Sequence, residues 1–234
     1  MERKIHENSR GNIRAFLPRE FGPSSEEVKL SATEFFTLGL PHPLFYDFCM
    51  IRQAVRSDAV KAVPLILQAI GHIAFVLTGT TDGQEVASIL SDFFGQEDNR
   101  ISYQNALAME EEGELVGVAI FYDGAKAQEL DAPLERAAAK KSGDSNYCIP
   151  TEPEASEFYL DTLSVSPRCQ GKGYGSKLIE AGCDWARKLG HHRLALLVEV
   201  DHAAAKRLYE RLGFCTDYTK RIAGQEYFHM VRSL

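Results

Sequence analysis

Several features are missing from this sequence, and each absence excludes a class of protein. No run among its 234 residues approaches the ~18–20 consecutive apolar residues that a membrane-spanning helix needs. The early charges of Arg3, Lys4, Glu7, Arg10 and Arg14 lead into no apolar stretch of the kind a secretory leader carries. The five cysteines, Cys49, Cys148, Cys169, Cys183 and Cys215, are odd in number and contain no CxxC pair. That argues against a zinc cluster or a disulfide framework, and free thiols suit a reducing compartment. Basic charge is also in deficit: 26 Lys and Arg against 33 Asp and Glu leave a formal net charge of -7. A phosphate backbone needs a basic surface, so nucleic acid is not the expected partner. These absences predict a soluble, cytoplasmic protein with no metal site and no membrane or nucleic-acid partner.

What is present is enough to build one large core. Hydrophobic residues make up 44% of the chain and charged residues 25%, the balance of an ordinary globular protein. Residues 1–49 hold Pro18, Pro23, Pro41 and Pro43 with Gly11, Gly22 and Gly39. They show no long periodic segment, although Ser31–Leu40 has the length of a short helix. They are expected to form an N-terminal extension, and residues 50–234 the compact domain.

The alternation of Met50–Val55 predicts a first strand. Ser57-Asp58 is an N-cap signal, and Val60, Val63, Ile66, Leu67, Ile70 and Ile73 follow at helical spacing. Pro64 lies inside this pattern, where a break or kink is expected. A second helix is predicted over Glu85–Phe94, then strands over Ser102–Glu110 and Leu115–Tyr122 around a polar hairpin turn. The segment Gly124–Ser156, helical around Leu134–Lys141, reads as a functional insert or as a tolerated surface excursion. Beyond it the pattern sharpens. A strand over Phe158–Val165, a helix over Tyr174–Leu189, a strand over Arg193–Val200, a helix over His202–Leu212 and two strands over Phe214–Tyr218 and Glu226–Val231 complete the chain. The alternation predicts an α/β protein with a single sheet covered by helices.

The stretch Ser166-Pro-Arg-Cys-Gln-Gly-Lys-Gly-Tyr-Gly175 leaves a strand and opens a helix. Such a turn presents unpaired backbone N–H groups at the positive end of a helix dipole, and glycines let an anion approach closely. Arg168 and Lys172 add positive charge. The turn therefore suits a phosphate or pyrophosphate, although a glycine-rich turn that only packs a helix on a strand has the same composition. A dinucleotide site is the rival reading, with Glu199 placed to bind a ribose. Its fingerprint is G-x-G-x-x-G, whereas the glycines here run G-x-G-x-G, and little sequence remains for a full dinucleotide-binding sheet. A Walker A motif is absent.

Here the sequence resembles a known family. Arg168-Cys-Gln-Gly-Lys-Gly173 is similar to the [Q/R]-x-x-G-x-[G/A] motif of the GCN5-related N-acetyltransferases, the GNAT family. His202–Phe214, HAAAKRLYERLGF, is similar to their second signature, N-x-x-A-x-x-L-Y-x-x-x-G-F. The two lie at the family's spacing with a strand between them, and the strong resemblance covers Glu157–Phe214. One departure is His202 where the family carries Asn. The resemblance implies the acyl-CoA N-acyltransferase fold, a single mixed sheet flanked by helices, with acetyl-CoA as co-substrate. It further implies that the N–H groups of Gln170, Gly171, Lys172, Gly173, Tyr174, Gly175 and Ser176 cradle the pyrophosphate beside Arg168. Leu163, Ser164 and Val165 would pair with the pantetheine arm, a backbone N–H near Leu163 would meet the thioester oxygen, and this strand would splay from Ala195–Val200 to open a slot. His202 would stand where the family's Asn meets the cofactor.

Acetyl transfer to an amine requires a neutral nucleophile, a stabilised oxyanion and a proton for the leaving thiolate. The resemblance makes Tyr209 the proton donor; spacing alone makes it an aromatic on the buried face of its helix. Alternation puts Glu157 and Asp161 on one strand face about 13 Å apart. Asp161 inside an apolar strand is a candidate base or a paired structural acid, and Glu157 a candidate base at the rim. The expected acceptor is a small cationic amine or a protein amine, attacking directly in a ternary complex. The insert 124–156 would form one wall of its site. A homodimer stays open, as does a non-catalytic acyl-CoA-binding module. Glu110-Glu111-Glu112 reads as a solvated turn, His191-His192 as solvated, and Cys169 as a thiol without a base.

Overall fold

The computed structural model describes residues 49–234 in full and, within residues 1–48, the backbone of three short strands. The chain divides into two compact units, 1–48 and 49–234. In the first, β1 (Ile5–Glu7) pairs antiparallel with β2 (Ile13–Ala15), and β2 with β3 (Val28–Leu30). The helix expected within Ser31–Leu40 lies outside the described residues.

The second unit is built on seven strands: β4 (Cys49–Gln53), β5 (Ala106–Glu111), β6 (Glu114–Asp123), β7 (Phe158–Val165), β8 (Arg193–Glu199), β9 (Cys215–Ile222) and β10 (Gln225–Ser233). Their order in the sheet is β4-β5-β6-β7-β8-β10-β9. Every neighbouring pair is antiparallel except β7 and β8, which run parallel. The sheet is therefore single and mixed, as expected.

Six helices cover it: α1 (Ala59–Ile70), α2 (Ile73–Thr78), α3 (Gly83–Phe94), α4 (Ala127–Ser142), α5 (Tyr174–Lys188) and α6 (Ala203–Arg211). The first four bury Val63, Ile66, Leu77, Leu90, Phe94 and Leu134 in one core with Val118 and Ile120 of β6. Ala119 and Phe121, the alternate residues of β6, face the opposite core with Leu178, Ile179 and Cys183 of α5. The period of two in β6 thus serves two cores at once. In the second core Phe121 stacks on Phe158 at 5.9 Å, and Trp185 meets both rings edge-on at 6.2 and 5.6 Å. Each such buried side chain contributes ~1.5–3 kcal/mol by leaving water.

The structure corrects two expectations. Pro64 does not end its helix: α1 runs through it and stops at Gly71, whose φ of 49° is left-handed. Burial of the flanking Ala62, Val63, Leu65 and Ile66 offsets the one hydrogen bond that Pro64 cannot donate. The insert is no mere surface excursion. Its helix α4 spans Ala127–Ser142, longer than the Leu134–Lys141 expected; Leu134 is fully buried in the first core, and Ala138 is fully buried as well.

Candidate active site

The parallel pairing of β7 and β8 covers only Phe158–Leu160 against Leu194–Leu196. Beyond it the two strands separate, and a cleft of about 770 Å³ opens between them. Thr162–Val165 line one side and Leu197–Glu199 the other, with Gln68–Ile70 of α1, the glycine turn and α6 completing the wall. The peptide groups of β7 face this cleft in alternation. Ser166 donates its N–H to Val116 O of β6 at 2.8 Å, and Ser164 and Thr162 stand opposite Val118 and Ile120. Leu163 and Val165 therefore turn their N–H and C=O away from β6, into the slot. Val165 O accepts there from Gln68 Nε2 at 3.2 Å and Gln170 Nε2 at 3.3 Å.

At the end of β7 the chain makes a 3₁₀ turn at Pro167–Cys169 and then the glycine turn. Gly171 and Gly173 both have φ of 80°, a left-handed conformation that side chains resist. Gly173 is the N-cap of α5, and the first helical bond is donated by Lys177 N–H to Gly173 O at 3.0 Å. The N–H groups of Gly175 and Ser176 precede that bond and have no acceptor within the helix. Gln170, Gly171, Gly173, Tyr174, Gly175 and Ser176 all border the cleft. Arg168 and Lys172 do not; Lys172 turns to Glu111 at the tip of the β5–β6 hairpin, 2.7 Å away. The geometry fits an anionic group held by backbone N–H donors at a helix start.

Helix α6 forms the facing wall through His202, Ala204, Ala205, Leu208, Tyr209 and Arg211. His202 caps it: Nδ1 accepts a long 3.4 Å bond from Ala205 N–H. That role leaves Nε2 as the proton-bearing nitrogen. Tyr209 packs against Phe214, ring centroids 5.9 Å apart in a T. Burial pushes its phenol up to about 12, so it is protonated at neutral pH.

The other end of the cleft holds a feature the sequence did not single out. Arg100, 2% exposed, sits among three carboxylates. Its Nε donates to Asp161 Oδ1 at 3.0 Å, one terminal nitrogen to Asp131 Oδ1 at 3.2 Å, and the other to Glu152 Oε1 at 2.7 Å and to Asp161 Oδ1. Asp161 also accepts from the Tyr122 hydroxyl at 3.3 Å and the Thr162 hydroxyl at 2.8 Å. Glu152 accepts from the Tyr159 hydroxyl at 2.6 Å. Burial raises the Asp131 carboxyl to about 6 against the opposing pull of Arg100. For Arg100, desolvation works against the charge, and the three carboxylates outweigh it. Asp161 is thus a paired acid with four donors, and the insert 124–156 contributes Glu152 to the cleft wall.

Glu157 stands elsewhere. It is fully buried, not at a rim, and is not among the residues bordering the cleft. Its Oε2 meets His229 Nε2 at 3.1 Å and Glu154 N–H at 3.0 Å. Burial alone would raise its carboxyl; those bonds and the charge of Arg193 hold it below the usual range. The glutamate triplet is more than a solvated turn. Glu110 receives Arg52 at 2.6 and 3.0 Å, and Glu111 receives Cys169, Lys172 and Tyr174. Burial and the bond to Glu111 push the Cys169 thiol up, away from nucleophile chemistry. His191 is partly covered, its ring 5.1 Å from that of Phe158. Among the described residues no cluster of His, Cys, Asp and Glu has metal-binding geometry, and no helix is long and apolar enough to cross a membrane.

A mixed sheet that splays at its one parallel pair, with an anion cradle at the following helix, defines an acyl-CoA-dependent transferase fold. Comparison with known proteins fixes the family. Residues 77–214 match the model of the acetyltransferase (GNAT) family, and the chain belongs to that family, whose acetyl donor is acetyl-CoA. A solved structure described as an acetyltransferase is 32% identical, superimposes with a TM-score of 0.66, and is covered over 98% of its length and 79% of this chain. An N-acetyltransferase from Staphylococcus aureus Mu50, 21% identical over 78% of this chain and 99% of its own, has the same fold at a TM-score of 0.64. Among curated relatives, N-alpha-acetyltransferase 30 of Schizosaccharomyces pombe is 39% identical over 57 residues, 24% of this chain and 38% of the relative. Mycothiol acetyltransferase of Renibacterium salmoninarum is 42% identical over 58 residues, 25% of this chain and 17% of the relative. The matches thus span less than two fifths of either curated relative.

Proposed function

We propose that this chain is an acetyl-CoA-dependent N-acetyltransferase that acetylates a primary amine by direct attack in a ternary complex. One observation carries the reading: the separation of β7 from β8 brings the N–H cradle, the slot-facing peptides of Leu163 and Val165, and the Tyr209 phenol to a single cleft. The backbone of the cradle residues Gln170–Ser176 would hold the pyrophosphate, with His202 on the facing wall and Arg168 outside the cleft lining. Leu163, Ser164 and Val165 would bind the pantetheine arm once Gln68 and Gln170 release Val165 O. A slot-facing N–H of β7 would stabilise the thioester oxygen as charge develops on it. The Tyr209 phenol, held protonated by burial, would protonate the sulfur as the carbon–sulfur bond breaks and the nitrogen–carbon bond forms.

The acceptor would enter at the Arg100 end. Three carboxylates around one guanidinium leave a surplus of negative charge there, which favours a cationic amine, either a small molecule or a protein amine. Asp161 serves this wall as the partner that orders Arg100. Glu152, whose side chain keeps 14% of its exposure, is the more reachable carboxylate for taking the amine proton toward solvent. Glu157, off the cleft wall, contributes to the strand junction. An amine panel with thiol-release detection tests the proposal. Acceptor-dependent release of CoA is expected, and tight CoA binding with no turnover on any amine would assign the chain to a non-catalytic acyl-CoA-binding module.

A further inference from the structure

One carboxylate outside the cleft holds the glycine turn at three points. Glu111, the last residue of β5, accepts from the Cys169 thiol at 3.1 Å, the Lys172 ammonium at 2.7 Å and the Tyr174 hydroxyl at 2.5 Å. These side chains flank Gly171 and Gly173, the two left-handed residues of the turn. A turn built on two such glycines has little stiffness of its own, because glycine loses the most conformational freedom on ordering. Among the described residues no atom lies within 4 Å of where a Cβ would stand at Gly171 or Gly173. Support from outside adds to the turn's own bonds, Cys169 N–H to Ser166 O at 2.8 Å and Gln170 N–H to Pro167 O at 3.4 Å. The β5–β6 hairpin supplies that support from a rigid sheet, since Glu111 is paired with both Glu114 and Cys49.

We infer that Glu111 is a positioning residue for the acetyl donor: it fixes the pyrophosphate-binding turn and holds Lys172 as a strut of that turn, away from the phosphates. The inference rests on the acetyl-CoA reading of the cleft. Binding a phosphate with backbone N–H groups depends on their being aligned beforehand, so a turn fixed in advance binds more tightly than one ordered on contact. The three donors also hold the Glu111 carboxyl down to about 2. Its folded value is depressed, so the tie is fully present above the ordinary glutamate range and is lost only as pH falls toward 2. The tie is therefore in place throughout the neutral range.

The test compares wild type with Glu111→Gln, Lys172→Met and the double variant, reading CoA affinity by calorimetry and KM for both substrates. If the turn is positioned by this tie, Glu111→Gln raises the CoA Kd and the acetyl-CoA KM roughly tenfold, as loss of charge-assisted hydrogen bonds to a binding loop would. The kcat and the acceptor KM stay within about twofold. Lys172→Met, which removes one of the three ties, gives a smaller shift in the same direction, and the double variant is no worse than Glu111→Gln, because Lys172 supports the turn through Glu111. Amide exchange over residues 170–176 rises in Glu111→Gln while the rest of the sheet is unchanged. Cys169→Ala, which removes one tie only, gives a smaller shift in the same direction and covers the case of a poorly folded Glu111→Gln. Additive losses in the double variant, tighter CoA binding in Glu111→Gln, or equal losses for both substrates would each overturn the inference. Wild type that binds no CoA would instead overturn the reading of the cleft itself.

Discussion

Replacing Arg100 by methionine would leave Asp131, Asp161 and Glu152 gathered around an uncharged chain. Asp131 and Asp161 keep only 4% and 3% of their side-chain exposure, so water cannot take over from the guanidinium, while Glu152 at 14% is partly relieved. A stranded carboxylate does not stay charged; it takes up a proton. Keeping one such group neutral at pH 7, against ~3.9 in the unfolded chain, costs ~4 kcal/mol at ~1.4 kcal/mol per unit, and less of this is new for Asp131, which is already raised to about 6. That agrees with the ~3–5 kcal/mol lost when one member of a buried ion pair is removed. For a unit of this size it corresponds to a fall of roughly 10 °C in melting temperature. The sign with pH follows directly. The stranded acids have raised folded pKa values, so their penalty is small below the unfolded value of about 4 and grows as pH rises through the neutral range. Urea unfolding of wild type and Arg100→Met at pH 5 and pH 7.5 measures this. A loss near 4 kcal/mol at pH 7.5, shrinking at pH 5, is expected. A loss under about 1 kcal/mol at pH 7.5, or a larger loss at pH 5, would refute the description of this cluster.

Three further outcomes follow from particular contacts. A Cβ at Gly182 would lie 2.2 Å from Cζ of Phe121, a ring with no exposure. The ~1 kcal/mol that alanine gains over glycine in a helix is outweighed by overpacking at the upper end of ~1–3 kcal/mol, so Gly182→Ala should lower stability in chemical denaturation. Asp131 is raised to about 6, so its contribution to stability is present below about 4 and lost as pH rises through 6; Asp131→Asn should flatten that part of the stability–pH curve. His202 caps α6 through a 3.4 Å bond. His202→Asn should keep or raise the melting temperature, and His202→Ala should cost ~1 kcal/mol.

The sequence was most informative where spacing is local. Tyr174–Leu189 and Arg193–Val200 each end within one residue of the observed α5 and β8, and the signatures around Gly171 and Tyr209 lie on the two walls of one cleft. What escaped it depends on distance in sequence. Arg100 lies in an aperiodic stretch and meets Asp161 sixty-one positions later, so neither its burial nor its partners leave a local pattern. Glu111 reaches Lys172 across the same separation, which is why a run of three glutamates resembled a solvated turn. Glu157 looked like a rim residue because it stands at a strand start; only its pairing with His229 on distant β10 shows it to be interior. Helix α4 was underestimated because it is rich in alanine and charge, and few of its residues carry the buried face.

Steady-state acetyl transfer from acetyl-CoA across a panel of primary amines, run with wild type and Tyr209→Phe, is the most direct test of the central claim. The account predicts amine-dependent CoA release by wild type, and in Tyr209→Phe a kcat lower by roughly 10²-fold, the lower range for a general acid, with CoA affinity unchanged. Turnover that is equal in the two proteins would remove Tyr209 from the chemistry, and CoA binding without turnover on any amine would contradict the assignment of an N-acetyltransferase.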